Sequence, residues 1–190
     1  MIRTALSFAL VLAALPAVAT ARPASRGFYA EAGLGALGML GDAHHAAATG
    51  PVLALRLGYD LTSWASVGIA ADASSHEATV PPPPEGEWFQ LYQGRADVRL
   101  GVRAGPLALF ADGGVGGAYM SSNILAKVNI LDPGERASLA LSAGGGLEYQ
   151  LQNRHYAFGL AASYWTMPTF ASLQGVEGRV FLRYTYGGSH

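Results

Sequence analysis

Residues 88–103 read WFQLYQGRADVRLGVR, and their order decides the fold. Trp88, Gln90, Tyr92, Gly94, Ala96, Val98, Leu100 and Val102 fall on one parity. Phe89, Leu91, Gln93, Arg95, Asp97, Arg99, Gly101 and Arg103 fall on the other. Successive side chains of a strand point to opposite faces, so this segment reads as a strand with one apolar and one ionised surface. Working outward, the same split recurs and divides the chain into eight strands. They are placed at 27–40, 51–60, 63–73, 87–103, 106–120, 136–150, 155–166 and 176–186. The outward sets are apolar, as in Leu53, Leu55 and Leu57, or Phe158, Leu160 and Ala162. Eight of the nine tyrosines share that parity.

The opposite parity collects ions: Glu31, Arg56, Asp72, Arg95, Asp97, Arg99, Arg103, Asp112, Arg136, Glu148, Glu177, Arg179 and Arg183. Seven are basic and six acidic, the near-balance that an enclosed bore requires, because buried charge must be paired. Their same-face neighbours are mostly Gly, Ala and Ser, which leaves room for arginines to cross a narrow lumen. The expectation is an all-β fold: an eight-stranded antiparallel transmembrane β-barrel with its apolar face to lipid. A soluble barrel would reverse the faces. Its exterior would then need more polar groups than these small residues supply.

Composition agrees. Charged residues are 13% of the 190, against roughly 25% in ordinary soluble domains. The formal net charge of −1 gives no basic footprint for nucleic acid. With no cysteine there is no disulfide framework, thiolate metal site or lipidated N-terminal cysteine. Arg3, the apolar run Ala5–Leu15, Pro16 and the small residues Ala19-Thr20-Ala21 read as a cleaved signal peptide over 1–21, leaving a barrel domain over 22–190.

Connections of two to four residues join strands two to three (Leu61-Thr62), four to five (Ala104-Gly105) and six to seven (Leu151 to Arg154). Longer ones at 41–50, 74–86, 121–135 and 167–175 lie at the other end. Short turns are periplasmic and long loops extracellular in outer-membrane barrels. Tyr59, Tyr149, Tyr156, Tyr184 and Tyr186 should then form an inner girdle. Trp88, Tyr92, Tyr119 and Tyr164 should form an outer one. Tyr29, Trp64 and Trp165 fall on the lumen parity, and a bulge near a strand end could shift each of them. Within the lumen Asp97 is expected opposite Asp112, flanked by Arg95 and Arg99, and Arg183 near Glu31.

This architecture resembles the small eight-stranded outer-membrane proteins of the OmpA and OmpX type. The resemblance covers nearly all of the mature chain and implies a Gram-negative outer-membrane location. One departure is that Tyr184 and Tyr186 are followed by Gly187-Gly188-Ser189-His190, where such proteins often end on an aromatic residue. Some barrels of this size are lipid-modifying enzymes, and lipid A deacylases place His, Ser and an acid on the membrane face. Here no His-x-Ser pair occurs, the outward strand positions carry no histidine or carboxylate, and His155 falls near the short-turn rim on the lumen side.

His44-His45, with Asp42 as sole acidic neighbour, lacks the three or four convergent ligands of a metal site, so no metal or cofactor is expected. Pro81–Pro84 reads as a stiff spacer or a displayed recognition arm. Ile124, Leu125, Val128, Ile130 and Leu131 make the 121–135 loop apolar enough to be a strand extension or a partner surface. The functional expectation is a non-enzymatic structural, adhesive or complex-forming anchor. Its lumen would be plugged by the ion network, and envelope partners would be met through loops 74–86 and 121–135. The alternatives are a subunit of an envelope-spanning machine, for gliding motility or secretion, and a lipid-modifying enzyme.

Overall fold

The computed structural model describes residues 26–79, 86–121, 136–153, 155–170 and 173–187. Within them eight antiparallel strands close into one barrel, each strand paired with its sequence neighbours and β8 with β1. The strands are β1 Gly27–Leu40, β2 Gly50–Asp60, β3 Ala65–Glu77, β4 Trp88–Ala104, β5 Leu107–Met120, β6 Ala137–Gln150, β7 Tyr156–Met167 and β8 Leu173–Gly187. Closure leaves no unpaired edge, which is what hydrocarbon demands of a spanning sheet.

Register fixes the shape. Followed partner by partner around the barrel, Gly27 leads to Asp60, Ser66, Arg99, Asp112, Gly144, Ser163 and Glu177. Glu177 then pairs with Leu37, ten residues farther along β1 than the start. A shear of ten over eight strands sets a tilt of about 40° and a backbone radius of about 8 Å. Each residue then advances about 2.5 Å along the axis.

The alternation reads out as predicted. Outward Leu55, Leu57, Ile69, Val98, Leu109, Phe158, Leu160 and Val180 are exposed, while inward Glu31, Arg56, Asp97 and Arg179 are buried. On β4 the outward face is apolar from Val102 up to Tyr92, ten residues or about 25 Å, the height of the lipid-facing band of such barrels. Tyr59, Tyr149, Tyr156, Tyr184 and Tyr186 ring the short-turn end. Tyr92, Tyr119 and Tyr164 ring the other. Trp88 leaves the outer ring: it stands four residues beyond Tyr92, about 10 Å along the axis, opposite Glu77. Its outward neighbours Ser75 and Gln90 are polar, so the apolar band has ended below it.

Two strands depart from their expected bounds by more than one residue. β3 begins at Ala65 and runs to Glu77, not 63–73, because above the band both faces turn polar and the alternation loses contrast. β8 starts at Leu173, shortening the last loop. Trp64 lies in the β2–β3 turn, not in the lumen. It is well exposed, with its carbonyl accepting from the Gly101 N–H. Within the 41–50 connection a 3-10 turn spans Gly41–His45. Gly105, at φ +61°, makes the tight β4–β5 turn that a side chain would strain. The signal peptide, Pro81–Pro84, the 124–131 run, Arg154 and the tail Gly188–His190 lie outside the described residues.

Tyr29 and Trp165 do face the lumen, and no bulge is involved. Each sits on a register partner that is glycine: Tyr29 on Gly58 and Trp165 on Gly175. Phe110 pairs with Gly146 and Phe181 with Gly159 in the same way. A Cβ on Gly175 would lie 2.2 Å from the Trp165 ring, and one on Gly159 2.5 Å from the Phe181 ring. At these four positions the glycine partner leaves the space that the large ring fills in a narrow bore.

Candidate functional site

The lumen has an ionised inner part and an apolar outer part, and strand parity places the residues of both. Arg99 on β4 is the hub of the ions. It donates from Nη1 to Glu31 Oε2 at 2.9 Å and from Nη2 to Glu31 Oε1 at 3.3 Å, a bidentate pair. It also lies 3.6 Å from Asp112 and 3.9 Å from Glu148. Its guanidinium stands 4.0 Å from the Phe110 ring centroid, and Phe181 flanks it. Arg56 is shared between Asp97 and Asp112. Glu148 takes Arg103 at 2.8 Å and Arg183 at 3.6 Å, while Arg183 also bonds Asp60 and covers the Tyr29 ring. Two smaller islands lie toward the outer end: Arg95 with Asp72, and Arg179 with Glu177 at 2.8 Å.

Twelve of the thirteen residues expected in this set are thus inside and paired. Arg136 is not. It precedes β6, is exposed, donates from Nε to the Met120 carbonyl and lies over the Tyr119 ring. The apolar band has ended at that height, so its parity carries no burial. Asp60 was missed, although it shares the parity of Arg56, because it ends its strand. The described lumen then holds six arginines against seven carboxylates. The expected pairings shift too. Asp112 is the register partner of Arg99, and Asp97 faces Gly114. Glu31 and Arg183 are register partners as expected, but each bonds elsewhere, to Arg99 and to Asp60.

Sequence reading took the whole bore to be ionised. Instead its long-loop end is filled by an apolar cluster that includes Leu37, Met39, Phe89, Leu91, Met120, Trp165, Met167 and Phe170, nearly all without solvent exposure. Ala43, Ala46 and Ala47 bring the 41–49 connection down onto it. The signal was present: Phe89, Leu91, Met120 and Met167 share the lumen parity at the long-loop ends of their strands. Inside this cluster His76 is fully buried and stacked on Phe89. Its Nδ1 donates to the Ala48 carbonyl at 3.0 Å, which leaves Nε2 to accept the Ser74 hydroxyl at 2.9 Å. The bond to Ala48 ties the connection to β3, and the bond from Ser74, within β3, holds the ring in place for it.

The short-turn end is different. A cavity of about 60 Å³ opens there, among Asp60, Thr62, Arg99, Arg103, Glu148, Gln150, His155 and Arg183. His155 donates from Nδ1 to the Thr185 carbonyl at 3.0 Å and stacks on Tyr184. His44 and His45 lie ring to ring, 5.4 Å apart and exposed. Among the described residues no three His, Cys, Asp or Glu converge as metal ligands.

A model of the outer membrane protein beta-barrel domain matches residues 7–181. The chain belongs to that family of outer-membrane β-barrels. It therefore resides in the outer membrane, with its apolar band in lipid. No curated protein matches it in sequence. Among solved structures it is similar to Neisserial surface protein A, with TM-score 0.62 and 16% identity over 84% of this chain and 97% of that one. It is also similar to Ail, the attachment invasion locus protein of Yersinia pestis, in complex with the heparin analogue sucrose octasulfate. There the TM-score is 0.50 and the identity 15%, over 85% of this chain and 99% of that one. The outer membrane enzyme PagL is similar at TM-score 0.47 and 16% identity, covering 82% and 98%. At these identities the likeness is one of fold alone.

Proposed function

We propose that this barrel is a non-enzymatic, non-conducting anchor of the outer membrane, with recognition carried by its loops. One observation supports the reading most: every charged side chain of the described lumen pairs with another, and an apolar cluster lies across the outer end. Ion transit would require breaking buried pairs and wetting that cluster, both costly. Planar-bilayer recording tests it. No steady conductance is expected, and a stable pore would overturn the reading.

Against catalysis on the lipid face stands the chemistry there. Among the described residues no histidine or carboxylate points outward within the apolar band, so a nucleophile would have no base in reach. Incubation with labelled lipid A and phospholipid should leave both intact. Turnover lost on substituting His155 would overturn the point. Residues 1–21 act in this reading as a cleaved export signal, so the mature protein begins at Arg22, which N-terminal sequencing checks. Envelope partners, if the barrel serves a larger machine, would be recovered in stoichiometric amounts by cross-linking intact cells.

A further inference from the structure

Above the lipid-facing band, the outward wall of β4 to β6 carries aromatic, amide and cationic groups together. Trp88 stands exposed on β4, about 10 Å along the axis beyond Tyr92. An indole that only anchors a barrel sits at the interface itself, level with Tyr92, Tyr119 and Tyr164. Below Trp88 on the same face come Gln90 and then the register pair Tyr92 and Tyr119. Gln90 is held in place: its backbone N–H donates to the Ser121 hydroxyl oxygen at 2.9 Å, and that hydroxyl donates to Gln90 Oε1 at 2.7 Å. Its side-chain amide N–H groups have no acceptor among the described residues. Arg136 is exposed; its Nε donates to the Met120 carbonyl at 3.3 Å, and its guanidinium lies 5.3 Å from the Tyr119 ring centroid. Among the described residues no carboxylate stands within ion-pair distance of Arg136, and it is the one arginine or lysine outside the lumen at the long-loop end. It is in register with Met120 and so with Leu91, which puts Trp88 two strands across and three residues along, about 14 Å away between Cα atoms.

We propose that this face binds the phosphorylated sugar headgroup of an outer-leaflet glycolipid, with the long connections pointing out of the cell as in other outer-membrane barrels. Continuity makes a membrane lipid the occupant. The face runs without a break into the apolar band, so a lipid whose acyl chains lie on Val98 and Leu100 brings its headgroup to this height. The chemistry divides along it. Arg136 offers its Nη groups to a phosphate as a fork. Gln90 donates to sugar hydroxyls, and the electron-rich face of the Trp88 indole covers the C–H face of a sugar ring. Glu77, the register partner of Trp88, repels phosphate from that end and so sets the direction of the headgroup. A phosphodiester lipid without sugar satisfies Arg136 and leaves Trp88 uncovered.

Trp88 reports on its own cover. The whole protein, with Trp64→Phe to remove the other exposed indole, is placed in phosphatidylcholine nanodiscs, and acrylamide quenching is followed as purified rough lipopolysaccharide is added. Trp165, sealed in the outer cluster, adds an unquenched background. Expected is a saturable, about twofold fall in the quenching constant, because one of the two indole faces becomes covered. Phosphatidylglycerol at equal charge and soluble glucosamine 1-phosphate should leave the constant unchanged. Arg136→Gln should raise the half-saturating amount about tenfold, and Arg136→Lys should restore most of the binding. Gln90→Ala, which spares the Arg136 contact to Met120, should shift it in the same direction and serves as the variant of record if Arg136→Gln does not fold. Unboiled gel mobility establishes folding. A fall that does not saturate, equal protection by phosphatidylglycerol or by the soluble sugar phosphate, or folded variants that bind as well as the parent overturn the site. None of these outcomes bears on whether the barrel conducts.

Discussion

Replacing Arg99 by methionine should destabilise the barrel by about 4 kcal/mol, and the second half of the experiment explains why. Arg99 is the described residue that hydrogen-bonds Glu31, and it does so with both Nη atoms. Its other two carboxylates keep partners without it: Asp112 retains Arg56, and Glu148 retains Arg103 and Arg183. The variant therefore strands one buried carboxylate, which costs about 3–5 kcal/mol. The thioether fits the space against Phe110 and Phe181, so packing loss adds little. About 4 kcal/mol is nearly three decades in the folding equilibrium constant.

One effect opposes this. Arg56 and Arg183 are the register partners of Glu31 on its two sides and could swing toward it, lowering the cost. The double variant Arg99→Met, Glu31→Met removes the ambiguity, because no charge is left behind. It should return to within about 1 kcal/mol of the parent, as for buried pairs replaced by apolar residues. Urea unfolding in phospholipid vesicles, followed by tryptophan emission and gel mobility, measures both. A single variant costing under about 1 kcal/mol, or a double variant as unstable as the single, would refute the buried-pair account.

Gly175→Ala sets a methyl 2.2 Å from the Trp165 ring and should cost about 1–3 kcal/mol in the same unfolding assay, with partial recovery when combined with Trp165→Leu. Phe89→Ala, which opens the fully buried outer cluster, should cost about 3–5 kcal/mol; a loss near zero would mean that the cluster does not hold the outer end. The tryptophans should separate by quencher: aqueous acrylamide should reach Trp88 and also Trp64, which lines the cavity at the short-turn end, while neither acrylamide nor brominated lipid should reach Trp165. Single-tryptophan variants check this, and acrylamide quenching of Trp165 would contradict a sealed outer end. His76→Leu, which removes both bonds from Ala48 and Ser74, should increase protease cleavage within 41–49 without unfolding the barrel.

The period-two pattern was legible wherever lipid lay on one side and ions on the other, because that contrast is what a spanning strand must have. WFQLYQGRADVRLGVR places β4 to within a residue at each end. Legibility failed above the band. There Ser75, Glu77 and Gln90 face water, Arg136 gains nothing from its parity, and Trp88 outruns the interface to which its aromatic character seemed to assign it. The lumen ions were readable as a set but not as pairs. Pairing depends on register and on arm length: a two-residue slip moves Asp112 from Asp97 to Arg99, and a guanidinium reaches past its register neighbour. The glycine partners of Tyr29, Phe110, Trp165 and Phe181 could be found only once register was known.

The division of the lumen follows from what lies beyond each end. The long loops give the outer mouth Ala43, Ala46, Ala47 and Phe170 to close with, so apolar side chains there meet other apolar side chains and need no counter-ion. The connections at the other end, two to five residues long by the strand bounds, are too short to fold over the bore. Side chains near that end must tolerate water, and charged pairs do so at little cost while exposed leucines do not. An ionised lumen is therefore the consequence of an uncovered inner mouth, and an apolar lumen the consequence of a covered outer one. Grafting polar residues at Leu37 and Leu91 should then wet the barrel from outside without disturbing the Arg99 cluster, because the two parts rest on different solvents and share no partner.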